Sequence, residues 1–154
     1  MSNYTRPRTP GATVFFTVNL AHRGARLLVK HIQPLRDAVM ITRRGHPFEV
    51  DAWVVLPDHM HCIWTLPPGD SDYSTRWRVI KSRFSRQMPP AHLRPSHIAR
   101  RERGIWQRRY WEHHIRDEAD YIAHVAYCWN NPVKHGFVED PRDWPYSSYH
   151  SDNP

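Results

Sequence analysis

Hydrophobic and polar positions fall into a short series of blocks along the chain. Residues 13–20 (TVFFTVNL) are β-branched and aromatic, which predicts a strand. Residues 31–43 place Leu35, Val39 and Ile41 at helical spacing ahead of Gly45, which predicts a helix. Residues 48–56 (FEVDAWVVL) and 59–66 (HMHCIWTL) are two further strands, joined at Pro57-Asp58 as a hairpin. Pro67-Pro68-Gly69-Asp70 breaks the chain, and residues 74–88 then set Trp77, Ile80, Phe84 and Met88 along one side of a basic amphipathic helix. Residues 106–115 (WQRRYWEHHI) predict a fourth strand. Residues 117–131 predict a last helix, opened by acidic residues that suit its positive end. Pro132 is expected to stop it, because a proline disfavours helical geometry in the residue before it.

The order β-α-β-β-α-β-α predicts an α+β fold. Its first six elements match a ferredoxin-like antiparallel sheet, with an additional C-terminal helix that carries a tyrosine. At 154 residues the chain predicts one domain, 1–154, with a polar arm at 1–11 and an aromatic, proline-rich tail at 137–154 packed on the surface. A fold of this kind does not name an activity, so function must be argued from a site.

Charge narrows the class of partner. Lys plus Arg number 22 against 15 Asp plus Glu, a net charge of +7, which favours a polyanion and nucleic acid first. Twelve histidines and seven tryptophans add metal-ligating groups and flat surfaces for stacking on bases. No apolar run approaches the roughly 18 residues of a membrane span, and no signal core opens the chain. Cys62 and Cys128 stand far apart, with no metal-type spacing, so a cytoplasmic setting without membrane attachment is expected.

The sharpest chemical feature is His59-Met60-His61 at the start of a strand. Side chains alternate across a sheet, so His59 and His61 share a face where two imidazoles can grip one metal ion, and Cys62 points away. On the last helix, Ile122, Val125, Ala126 and Trp129 form an apolar stripe. Tyr127 and Asn131 lie opposite, one turn apart, with His124 a turn earlier and Tyr121 on another face. A tyrosine and an amide set beside paired histidines would combine a nucleophile with a third ligand. Phenol is a weak nucleophile near neutrality, its pKa being about 10, and a divalent ion can offset charge developing on a phosphodiester as the tyrosine attacks.

Leu56-Pro-Asp-His-Met-His61, Trp106-Gln-Arg-Arg-Tyr-Trp-Glu-His113 and Tyr127-x-x-Asn-Asn-Pro-Val-Lys-His-Gly136, in this order, resemble the REP-associated tyrosine transposases. These belong to the HUH (His-hydrophobic-His) single-tyrosine transposases, and the similarity runs over about residues 10–150. The resemblance implies a ferredoxin-like core, a Mg²⁺ or Mn²⁺ site, and nicking and rejoining of single-stranded hairpin DNA at repetitive extragenic palindromes, by a monomer. It makes His59 and His61 metal ligands and Tyr127 the nucleophile, which would form a 5′-phosphotyrosine and free a 3′-OH. Asn131 falls at the position of the third ligand, where larger insertion-sequence relatives carry Gln. Asn is shorter, which leaves His124 or a water as the alternative. Two imidazoles shift preference from Mg²⁺ towards Mn²⁺ or Zn²⁺, so the ligand set does not choose the ion.

Candidate DNA contacts are Arg6 and Arg8 in the arm, Arg76, Lys81 and Arg83 on the basic helix, and Arg100, Arg101, Arg103, Arg108 and Arg109. Trp106, Tyr110 and Trp111 are candidates for stacking on unpaired bases. Two other readings stand beside a DNA-joining enzyme. One is a non-catalytic nucleic-acid-binding module on the same fold. The other is a zinc hydrolase, for which Asp58 is the only near carboxylate that could act as general base.

Overall fold

The computed structural model describes residues 9–88 and 104–152. Four strands form one antiparallel sheet in the order β2-β3-β1-β4. They are β1 (Thr13–Asn19), β2 (Glu49–Val55), β3 (His59–Thr65) and β4 (Trp111–His114). The helices are α1 (Leu27–Lys30), α2 (Ile32–Gly45), α3 (Tyr73–Arg86), α4 (Glu118–Lys134) and α5 (Tyr149–Asp152). This is the ferredoxin-like arrangement read from the element order, plus α1, α5 and a 3₁₀ turn at Pro141–Asp143 that the hydrophobic pattern did not signal.

Strand alternation divides the core. Phe16, Met60, Cys62 and Trp64 face α2 and α3, and Trp64 stacks on Trp77 at 4.3 Å between ring centroids. The Trp77, Ile80, Phe84 and Met88 series is buried there, as its spacing predicts. Phe15, Thr17, His59 and His61 face the other way, towards α4. Trp144, from the tail, donates its indole N–H to the Val55 carbonyl at 3.0 Å and ties the tail to β2.

Two elements depart from expectation. The fourth strand covers only 111–114; Trp106 makes an isolated bridge to Leu20 and is 8% exposed. Pro132 does not stop the last helix, which runs on to Lys134. A proline ring costs a helix one N–H and a steric clash, but so close to the end few hydrogen bonds remain to be lost. The stop is Gly136, at φ 75°. Its N–H bonds the Val133 carbonyl and the Phe137 N–H bonds the Pro132 carbonyl, a Schellman closure that favours glycine.

The orientation of α4 is a third correction. Val125 and Trp129 pack against the core, but Ile122 is 60% exposed and Ala126 is also exposed, so only half of the apolar stripe seats the helix. The buried positions are Asp120, Cys128, Asn131 and Pro132. The reason lies in the sheet face beneath, which carries Thr17, His59 and His61. Beside them stand buried Phe15, Ala52, Val54 and Ile63, so the face is mixed: Tyr121, Val125 and Trp129 pack on its apolar part and Asn131 on its polar part, while Ile122 is left outside.

Candidate active site

His59 and His61 are both buried on β3, with ring centroids 5.1 Å apart. Each has one nitrogen already committed. His59 Nδ1 lies 2.6 Å from Asp58 Oδ1. The other oxygen of Asp58 accepts from the Gly24 amide at 2.8 Å and faces Arg23 at 3.3 Å. His61 Nδ1 is 2.8 Å from Thr17 Oγ1, a partner placed by the strand register that puts Thr17 opposite His61. The carboxylate can only accept, so at His59 it places the proton on Nδ1 and leaves Nε2 with a lone pair; the Thr17 hydroxyl can take either role and fixes the ring orientation of His61.

Burial holds His61 neutral, with its pKa pushed down to about 3, and the charges of His59, His135 and Lys134 act in the same direction. Burial also lowers His59, partly offset by Asp58. Burial alone would raise Asp58, but the Gly24 amide and His59 outweigh it and keep the carboxyl ionised. With both oxygens engaged, Asp58 orients His59 and is not placed as the general base of a hydrolase.

Tyr127 stands over this pair. Its ring centroid is 5.1 Å from His61 and 5.8 Å from Phe15, with its side chain 39% exposed. Asn131, one turn on, is 1% exposed and lies against His61. His61 Nε2 and both polar atoms of the Asn131 amide are buried without a well-formed hydrogen bond. Buried polar atoms left unmatched cost about 1–3 kcal/mol each. Three gathered at one point, beside the second imidazole of His59, fit a bound cation that takes nitrogen and amide-oxygen ligands.

His124 joins a different group. Its Nδ1 lies 2.8 Å from the Asp120 carbonyl and 3.1 Å from Asp120 Oδ1. His113 Nε2 is 2.8 Å from Asp120 Oδ2. These three residues bring ligand atoms within 4.8 Å of one another, so they too could hold a cation. The two imidazoles are stacked with planes 17° apart, however, so their in-plane lone pairs run side by side instead of converging. Asp120 also accepts from the Arg116 amide at 3.0 Å, and its carboxyl is held at about 2 by that bond and by His113. The cluster thus clamps β4 to the first turn of α4. Phe15 separates it from the His59 and His61 pair, with His124 on one side at 4.9 Å and His61 on the other at 5.7 Å.

No protein-family model matches the chain. Over 152 residues it is 50% identical to the REP-associated tyrosine transposase of Escherichia coli (strain K12), covering 99% of this chain and 85% of that one. The chain belongs to the REP-associated tyrosine transposases. A solved structure of such a transposase bound to a REP hairpin matches with a TM-score of 0.85 at 50% identity, over 99% of this chain and 85% of that one. A Deinococcus radiodurans protein shares the fold alone, at a TM-score of 0.51 and 15% identity over 87% of this chain and 97% of its own.

The DNA-contact candidates in this family member divide sharply. Arg76 is 2% exposed and all its N–H donors are used within the protein, so it is a structural residue. Lys81 donates to the Gln107 carbonyl at 3.0 Å and sits over Tyr110. Arg83 is half-buried. Trp106 packs edge-on against Phe84, and Tyr110 packs against Phe16 and Trp77, so neither ring face is offered to a base. Arg108 and Arg109 are exposed, and Trp111 is 65% exposed. Arg6, Arg8, Arg100, Arg101 and Arg103 lie outside the described residues. Trp111 pairs with Thr17, which pairs with His61, so Trp111 lies on the same face of the sheet as His61, two strands away. Among the described residues no helix is long and apolar enough to cross a membrane.

Pattern reading missed Thr17 and Lys134 as site residues. Thr17 enters only through strand register. Lys134 lay beyond the expected helix end at Pro132.

Proposed function

We propose that this chain binds REP-type single-stranded hairpin DNA and cleaves and rejoins it through a 5′-phosphotyrosine on Tyr127. The observation that carries the reading is Tyr127, half-exposed, 5.1 Å from a buried His61 whose Nε2 has no partner. The family relationship and the hairpin bound to a close relative support the substrate class. In this reading the protein works as a monomer in the cytoplasm.

His59, His61 and Asn131 would hold Mg²⁺ or Mn²⁺, which when bound supplies Lewis-acid withdrawal of charge from the scissile phosphate. Asp58 and Thr17 orient the two imidazoles. The phenolic oxygen of Tyr127 forms a bond to phosphorus while the bond from phosphorus to the 3′ oxygen breaks. The phenol's proton passes to solvent, and the departing 3′ oxygen takes one up as a 3′-OH. One ester replaces another, so attack by a 3′-OH on the phosphotyrosine rejoins a strand with no external energy source. Trp111, beside this site, offers a ring for an unpaired base near the cleavage point.

The test is a labelled REP-type hairpin with a single-stranded 5′ extension, incubated with protein and Mn²⁺ and run on a denaturing gel. The parent should give a covalent band. Tyr127→Phe, which removes one oxygen and keeps the ring, should give none while binding the hairpin equally well. Tyr121→Phe should match the parent. An adduct in the Tyr127 variant would overturn the nucleophile. Hairpin binding without cleavage by the parent would favour the non-catalytic binding module.

A further inference from the structure

Lys134 is the last residue of α4, and a cation there complements the negative end of the helix. That explains the residue type but not where the ammonium lies. Its Nζ sits 5.1 Å from the centroid of the Tyr127 ring, two turns back along the helix, in the direction long helical side chains lean. It is also close enough to act on the charge of His61. No carboxylate pairs with Lys134 among the described residues. The carboxylate nearest the histidine pair, Asp58, is occupied by Gly24, His59 and Arg23. Tyr127, His61 and an unneutralised ammonium therefore meet at one edge of the site, exposed on the Lys134 side.

Resting on the function proposed above, we infer that Lys134 binds the non-bridging oxygens of the scissile phosphate and stabilises the charge that builds on them during attack by Tyr127. An ammonium over the Tyr127 ring puts positive charge next to the side chain that attacks, within reach of a phosphate brought to the phenol. It is a second source of charge neutralisation, supplied by the chain and independent of any cation on the histidines. Removing one such donor from a phosphoryl or acyl transition state typically slows a reaction about 10²–10³-fold.

The experiment compares Lys134, Lys134→Ala and Lys134→Arg. Lys134 is exposed, so neither change disturbs the core. Adduct formation should slow about 10²-fold in Lys134→Ala and recover by at least roughly tenfold in Lys134→Arg. A binding cycle then locates the contact. In a Tyr127→Phe background, which leaves DNA intact, the salt dependence of affinity should lose a slope of about 0.7 on going to Lys134→Ala. With divalent metal removed by chelator, replacing the scissile phosphate by a neutral methylphosphonate should weaken binding to the Lys134 protein and have little effect on Lys134→Ala. Equal sensitivity of both proteins to the methylphosphonate, or an adduct rate in Lys134→Ala within threefold of the parent, would overturn the inference while leaving Tyr127 as nucleophile. A parent that forms no adduct would remove the reading beneath it and the inference with it.

Discussion

Arg76 tests whether the basic helix is a DNA surface or a packing element. Its guanidinium donates from Nη1 and Nη2 to the two oxygens of Asp70, both at 2.9 Å. The other three donors reach the carbonyls of His46 at 3.2 Å, Asp72 at 3.0 Å and Pro47 at 2.8 Å. The side chain thereby pins the start of α3 to the turn between α2 and β2. Arg76→Ala removes every one of these bonds and leaves Asp70 and three carbonyls to find water. Breaking a buried ion pair by deleting one partner costs about 3–5 kcal/mol. Asp70 is 37% exposed in its side chain, so the lower part of that range applies, about 3 kcal/mol. For a chain of this size that is a fall in Tm of roughly 5–15 °C. Arg76→Lys keeps the charge without the two-pronged geometry and should lie between.

A pH series sharpens the assay. The Arg76 guanidinium holds the Asp70 carboxyl down at about 2, below its ordinary 3.8. The unfolded chain therefore binds more protons between those values, and stability rises with pH across them. The contribution is fully present above pH 4 and is lost as pH falls towards 2. In Arg76→Ala this acid limb of the melting curve should flatten. Thermal melts followed by circular dichroism, paired with hairpin titrations at several salt concentrations, read both quantities. A variant that melts with the parent, yet loses a slope of about 0.7–0.9 in its salt dependence, would make Arg76 a phosphate contact and refute the structural assignment.

Three further outcomes follow from the site and its rim. Mn²⁺ should raise Tm of the parent, by RT ln(1 + [L]/Kd), and not that of His61→Ala or His59→Ala, with hairpin affinity in the absence of metal nearly unchanged in both; equal stabilisation of parent and variants would place the cation elsewhere. Trp111→Ala should leave Tm alone and weaken binding of a hairpin with a single-stranded flank by about 1–3 kcal/mol, and an unchanged affinity would take the unpaired bases off this face. Trp106→Ala should do the reverse, costing about 3–5 kcal/mol of stability measured by urea titration, with the remaining folded protein binding DNA normally.

How much of this was legible in the chain depended on whether the signal was local. β1, β2, β3 and α3 were legible because alternation or helical spacing of Phe16, Trp64, Trp77 and Phe84 reports directly on one buried face. The His59 and His61 pair was legible for the same reason, since period-two alternation alone puts both on one side. Thr17 was not, because its bond to His61 depends on a register set 44 residues away. Basic residues were the least legible class. Arg76 and Arg109 look alike in sequence, and only the surrounding carbonyls and carboxylate show that Arg76 is spent inside the fold while Arg109 is exposed.

The misreading of α4 has the same origin as the site itself. A helix normally seats its apolar stripe, because burying apolar surface drives docking. Here Ile122 is left in solvent while Asn131 is 1% exposed, an arrangement that hydrophobic burial alone disfavours. The clamp at Asp120 fixes the start of α4 against β4, and the Schellman closure at Gly136 fixes its end near the histidines. Between those anchors the helix has one rotational setting, and that setting turns Tyr127 and Asn131 towards His61. The unmatched atoms on His61 and Asn131 are the cost of that setting. A cation that matched them would recover that cost, and in the proposed reading stability and cation binding would then be coupled through the helix that carries Tyr127.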